Sequence, residues 1–79
     1  MELVSLTEYL VKELLPGQDV SVKKVDSEGD IVIQVLVPND SMSAIIGKSG
    51  KIANSIRTIV QAAAYTKKLG RVRINIDSL

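Results

Sequence analysis

Apolar residues recur at helical spacing from the start of the chain. Leu3, Leu6, Leu10, Val11, Leu14 and Leu15 fall on one stripe. Ser5-Leu6-Thr7-Glu8 has the spacing of a capping box, so the helix begins there or one turn earlier. Pro16-Gly17 ends it. Val20 and Val22 then alternate with Ser21 and Lys23, as a strand does. Ser27-Glu28-Gly29-Asp30 is turn chemistry and predicts a hairpin. Ile31, Ile33, Val35 and Val37 form one face of the next strand, with Val32 and Leu36 on the other. Apolar residues on both faces predict a central strand.

Pro38 stops that strand, and Asn39 or Asp40 is placed to cap a short helix ending in Ile45-Ile46. Gly47-Lys48-Ser49-Gly50 breaks the helix. A longer one follows, with Ile52, Ile56, Ile59, Val60 and Ala63 on its stripe. Lys67 and Lys68 suit its negative end, and Gly70 suits its C′ position. Val72, Ile74 and Ile76 alternate with Arg71, Arg73 and Asn75 in a last strand. The hairpin strands must be antiparallel. The last strand follows a two-helix crossover, which suits parallel pairing with the central one. The prediction is an α+β sandwich of order helix, strand, strand, helix, helix, strand: a three-stranded mixed sheet with three helices packed on one face. With 79 residues it is one small domain spanning 1–79, and its unstapled core predicts modest stability.

Composition narrows the chemistry. Hydrophobic residues are 46% and charged residues 24%, a globular balance. Without Cys or His the chain has no disulfide, no Cys/His zinc site and no nucleophile–histidine pair. Without Trp or Phe, and with two Tyr, it has no platform of several stacking aromatics. No apolar run approaches the roughly 20 residues of a membrane span. Met1-Glu2 opens no secretory signal, so a cytoplasmic protein with no membrane contact is expected. Asp40, Ser41, Ser43 and Ser49 are the nearest candidates for catalysis, but turn and cap roles account for them. No enzyme activity, cofactor or metal is expected.

The net charge of +1 conceals an asymmetry. Residues 1–40 hold three basic and eight acidic side chains, whereas residues 41–76 hold seven basic and no acidic ones. Such a stretch is the footprint of a polyanion-facing half, or a chance partition over solvated faces. Gly47-Lys48-Ser49-Gly50 lies within it. Glycines three apart allow a sharp reversal and let an anionic backbone approach the turn's N–H groups. The helix starting near Lys51 points its free N–H groups the same way. Lys48 and Lys51 add charge, the Ser49 hydroxyl can donate to a phosphate oxygen, and Arg57 extends the strip if it faces the same way. As a bare tetrapeptide, the turn could equally be a tight helix–helix joint. A Walker A loop is excluded, because its first glycine would fall on Met42.

The string Ile45-Ile46-Gly47-Lys48-Ser49-Gly50-Lys51-Ile52-Ala53-Asn54-Ser55-Ile56-Arg57 resembles the KH signature I-I-G-x-x-G-x-x-I-x-x-I. The element order matches the bacterial, type II form of that fold, and the likeness covers essentially the whole chain. It is most similar to the small stand-alone KhpA-like group. The resemblance implies a GxxG loop that clamps about four nucleotides of a single strand. Gly47, Lys48, Ser49 and Gly50 would hold the phosphates, with Lys51 and Arg57 beside them. Ile46, Ile52 and Ile56 would line the groove that receives the bases. Core packing is the competing role for Ile56 and the preferred one for Ile59 and Val60. Lys67, Lys68, Arg71 and Arg73 offer a second, diffuse contact or a solvated surface. Ala44 and Ser43 stand where many members carry a basic residue and a glycine, which removes one contact. The acidic loop Asp26–Asp30 corresponds to the family's variable loop and would repel phosphate if it bordered the groove.

The resemblance also implies an RNA chaperone. Such proteins pair with a second, KhpB-like KH protein in regulation linked to cell-wall homeostasis and cell elongation, and homodimers occur. Single-stranded DNA would offer the same phosphates. Apolar Val32 and Leu36, on the sheet face away from the helices, are a modest basis for a partner. The alternative is a protein-interaction or dimerisation module on a KH scaffold, with little RNA affinity.

Overall fold

In the computed structural model, which describes residues 2–79, the elements follow the predicted order. They are α1 (Leu3–Leu14), β1 (Ser21–Ser27), β2 (Asp30–Val37), α2 (Met42–Ile46), α3 (Lys51–Thr66) and β3 (Val72–Ser78). Single 3₁₀ turns, Asn39–Ser41 and Lys48–Gly50, lead into α2 and α3. Met1, where the N-terminal signal reading starts, lies outside the described residues.

Helix α1 takes the earlier of its two expected starts. Beginning at Leu3 places Leu3, Thr7 and Val11 in the core. The Glu2 carboxylate, not Ser5, caps the helix by accepting the Val4 N–H at 3.1 Å. Thr7 is buried, and its hydroxyl donates to the Leu3 carbonyl at 2.8 Å, so no polar atom is stranded.

Glu28 at φ 48° and Gly29 at φ 88° form a two-residue hairpin turn whose twist matches the strands. That turn sets the register, with Val25 opposite Val32 and Val22 opposite Val35. β3 pairs in parallel on the far side of β2, with Ile33 beside Ile74 and Val35 beside Ile76. The sheet order is β1-β2-β3. The period of two sends Ile33, Val35, Val37, Val72 and Ile74 into the core beneath the helices. On the other face Val32 and Leu36 stay half-buried and Val25 is exposed. Ile45 and Val60 close the core from α2 and α3.

Three expectations are corrected. Neither Asn39 nor Asp40 caps a helix. Pro38 starts the 3₁₀ turn, the Ser41 N–H closes it onto the Pro38 carbonyl at 2.8 Å, and α2 begins only after the buried Ser41. Ile59 is not a core residue: it is 46% exposed, while its neighbour Val60 is fully buried. Adjacent helix positions differ by about 100°, so only one of the two can face the sheet. Gly70 is not the C′ residue of α3. The helix ends at Thr66, and Lys68 occupies C′ at φ 56°. Its N–H donates to the Tyr65 carbonyl at 3.0 Å, and the Leu69 N–H donates to the Ala64 carbonyl at 3.1 Å. This is a Schellman end with a lysine where glycine is favoured.

A left-handed non-glycine residue costs about 1 kcal/mol. Lys68→Gly is therefore expected to stabilise the fold by about 0.5–1 kcal/mol. Thermal melts would show a Tm rise of roughly 3–6 °C for a chain of this size.

Candidate nucleic-acid interface

The reversal between α2 and α3 is built from three left-handed residues. Gly47 has φ 72° and ψ −173°, a region open essentially to glycine alone. Ser49 at φ 57° and Gly50 at φ 74° are ordinary left-handed positions. A Cβ on Gly47 would lie 2.6–3.0 Å from three side-chain carbons of Ile52, so the Gly47 backbone rests directly on Ile52. A Cβ on Gly50 would meet only the Asn54 amide nitrogen, at 3.8 Å. The two glycines thus have different reasons: one for backbone angle and close approach, the other for angle alone.

This bend leaves Lys48 and Ser49 exposed at its outer corner, with Lys51 exposed one step on. Helix α3 has no side-chain cap and no acidic residue in its first turn. The Gly50 and Lys51 N–H groups bond to the Gly47 and Lys48 carbonyls, so the start of α3 contributes the positive end of its dipole together with two ammonium groups and one hydroxyl. That set of donors, two of them cationic, matches an anionic oxygen.

The flanks of α3 differ in character. On one, Arg57 Nε donates to the Ile74 carbonyl at 3.1 Å, and Gln61 Nε2 donates to the Val72 carbonyl at 3.4 Å. Both carbonyls lie on the edge of β3 that does not pair with β2. Arg57 Nη1 also donates to Asn54 Oδ1 at 3.1 Å, and Asn54 stands beside Gly50. A polar row thus runs from the turn along the β3 edge. On the other flank Ile52, Ser55 and Ile59 face Leu10, Glu13 and Leu14 of α1 across an almost wholly apolar groove of about 290 Å³.

The structure brings Gly47, Lys48, Ser49, Gly50 and Lys51 together at one corner, with exposed Ile46 immediately before it. Arg57 joins them through Asn54 but is half-buried and tied to β3. Ile56 is a core residue, 3% exposed, that reaches only the floor of the apolar groove. Ile52 supports Gly47 from the α1 side and is turned away from the Arg57 flank. Counting from Gly50, the signature's two spaced isoleucines fall on Ala53 and Ile56, both buried. Ile52 lies one residue, about 100°, off that face. Lys67 and Lys68 sit at the far end of α3, about 24 Å from its start by helix rise. Arg73 alternates onto the open sheet face. The loop Asp26–Asp30 tips the opposite end of the sheet from the turn, so its carboxylates do not border this corner. Asn54 and Gln61 escaped the sequence reading. Their only signal is a spacing of four from Gly50 and from Arg57.

A family model described as "KhpA/KhpB, KH domain" matches residues 4–76. A protein of Clostridium acetobutylicum named "RNA-binding protein KhpA" is 39% identical over 72 residues, which cover 90% of this chain and 95% of the relative. Its namesake in Clostridium perfringens is 42% identical over 60 residues, covering 75% and 80%. That of Aquifex aeolicus is 34% identical over 70 residues, covering 87% and 86%. No solved structure gives a significant match.

The two glycines should respond differently to substitution. Gly50→Asn is expected to cost no more than about 1 kcal/mol, because asparagine tolerates the left-handed region. Gly47→Asn should cost about 2–3 kcal/mol from strain and the clash with Ile52. In a urea-denaturation cycle, combining Gly47→Ala with Ile52→Ala should recover part of the Gly47→Ala loss.

Proposed function

The chain belongs to the KhpA/KhpB KH domain family, a family of binding domains rather than enzymes, and on that premise we propose that it binds single-stranded RNA at the Gly47–Gly50 turn. The observation that carries this reading is the corner itself. Three left-handed residues present Lys48 and Ser49 to solvent at the uncapped start of α3. Phosphate oxygens of a bound strand take the turn and helix N–H groups, the Ser49 hydroxyl and the Lys48 and Lys51 ammonium groups. Ile46 offers apolar surface to the adjoining base. Arg57 and Asn54 extend the path along the β3 edge. Most of these contacts are to backbone, so the binding tolerates many sequences, as an RNA chaperone requires, and single-stranded DNA competes for the same site. Relatives carrying the name of an RNA-binding protein support the choice of RNA. In this reading residues 1–79 act as one KH domain.

Lys48→Asp with Ser49→Asp reverses the charge of an exposed corner without touching the core. The double variant should keep its melting curve and lose RNA binding at least tenfold in a filter or anisotropy assay. For the unaltered protein, log K against log salt should slope near −2, from about three phosphate contacts at roughly 0.7 each. Full-strength binding by a folded double variant would remove the turn from the function.

A second reading is favoured by the groove between α1 and α3. Leu14 and Ile59 are 42% and 46% exposed there, facing one another beside Leu10 and Ile52. We propose that this groove receives another KH chain, either a KhpB-like protein or a second copy, and that the pair acts in regulation tied to cell-wall homeostasis and cell elongation. Two weak RNA corners joined in this way gain avidity. Ile59→Lys should leave stability within about 0.5 kcal/mol, as for an exposed site. It should abolish association in light scattering, alone or with the partner. Unchanged association would assign the interface elsewhere.

A further inference from the structure

We propose that a strand held at the Gly47–Gly50 turn runs along the outer edge of β3 and stacks one base on Tyr65, about 22 Å away by helix rise. The inference rests on the RNA-binding reading above and adds a second, aromatic contact to it.

Tyr65 is 83% exposed, the most exposed large hydrophobic side chain among the described residues. It sits on a defined path. Asn54, Arg57, Gln61 and Tyr65 are spaced by three or four, so they share one flank of α3. The bonds from Arg57 to Ile74 and from Gln61 to Val72 lay that flank against the outer edge of β3. Tyr65 is the next step along the same row, beyond the start of the strand. There an open cleft of about 280 Å³ is lined by Tyr65, Gln61, Ala64, Gly70, Arg71 and Val72. Lys68 borders the adjoining recess with Tyr65 and Gly70.

The chemistry of this cleft fits a nucleotide. Tyr65 and Arg71 both line it, and Lys68 borders the adjoining recess. A ring stacks any base, and the cations take the phosphate on either side. The Schellman bonds from Lys68 and Leu69 fix the loop that supplies them. A Cβ on Gly70 would meet nothing within 4 Å, so the mouth is open. The acidic hairpin tip lies at this same end of the sheet: the Ile31 N–H, next to Asp30, donates to the Arg71 carbonyl at 3.4 Å, so Arg71 stands between those carboxylates and the cleft that it lines. A single ring suits capture of one base at the end of the path.

Tyr65 can be read directly. The chain has no Trp and two Tyr, so Tyr9→Phe leaves Tyr65 as the sole emitter. Oligouridylates of roughly four nucleotides, the length a GxxG loop clamps, and of roughly eight would be titrated against this variant. The longer strand should quench Tyr65 emission, and Tyr65→Ala should weaken its binding about tenfold, within the range for one stacked base. The shorter strand should bind the parent and Tyr65→Ala alike, and Tyr65→Trp should bind the longer strand at least as tightly as the parent. The proposal is overturned if Tyr65→Ala, folded by circular dichroism, binds the longer strand as tightly as the parent. It is also overturned if that variant loses self-association while RNA affinity is unchanged, which would make Tyr65 a protein contact. Failure of the parent to bind either strand would instead refute the turn reading, and this inference with it.

Discussion

The Gly47 backbone lies against Ile52 with no room between them for a side chain. The rest of the site follows from that contact. At φ 72° and ψ −173° the chain turns out of α2 in a direction closed to other residues. Packing against Ile52 limits how far it turns. Two backbone bonds close the reversal, a long one of 3.5 Å from the Gly50 N–H to the Gly47 carbonyl and one from the Lys51 N–H to the Lys48 carbonyl. Ile52 in turn packs toward Leu10 and Leu14 of α1. The corner that displays Lys48 and Ser49 is thus held by the helix layer and is formed before any ligand arrives. A preformed corner spares the ordering entropy that a flexible basic loop would lose on binding.

Helix α3 divides its surface into three functions. Ala53, Ile56, Val60 and Ala64 seal it to the sheet. Arg57 and Gln61 occupy edge carbonyls of β3, which also blunts the edge against pairing with another strand. Ile52 and Ile59 leave an apolar groove with α1. Because the polar and apolar flanks lie on opposite sides of one helix, a strand of nucleic acid on the first and a protein chain on the second do not compete. A binding module and an interaction module are therefore compatible on this scaffold.

Charge is arranged less simply than the chain order implies. The acid-free stretch of residues 41–76 folds into separate regions: the corner at Lys48 and Lys51, the far end of α3 at Lys67 and Lys68, and the open sheet face at Arg73. Arg57 lies between the first two, with Nε bonded to the Ile74 carbonyl and Nη1 to Asn54 at the surface. The basic surface is thus a path with two ends, not a continuous patch. The acidic hairpin lies at the end of the sheet away from Lys48 and Lys51, the end at which α3 finishes and β3 begins.

The chain alone determined the elements, their order and the glycine corner. Periods of two and 3.6 come from the covalent backbone, and glycines three apart signal a reversal wherever they stand. The likeness of residues 45–57 to the KH signature pointed to that corner, a local structure made by consecutive residues, but not to the facing of its isoleucines: Ile56 is buried and Ile52 is turned toward α1. Tertiary packing decided what depends on distant partners. Where α1 begins, and that Glu2 rather than Ser5 caps it, follows from which turn the core can bury. Lys68 in place of Gly70 ends α3 because the Schellman bonds reach back to Ala64 and Tyr65. Val60 goes inward and Ile59 outward because of where the sheet lies beneath α3. Asn54, Arg57 and Gln61 became a row only when β3 returned beside α3. Their partners are edge carbonyls 11 and 17 residues onward for Gln61 and Arg57, and no local pattern can encode a hydrogen bond to a strand that has yet to pair.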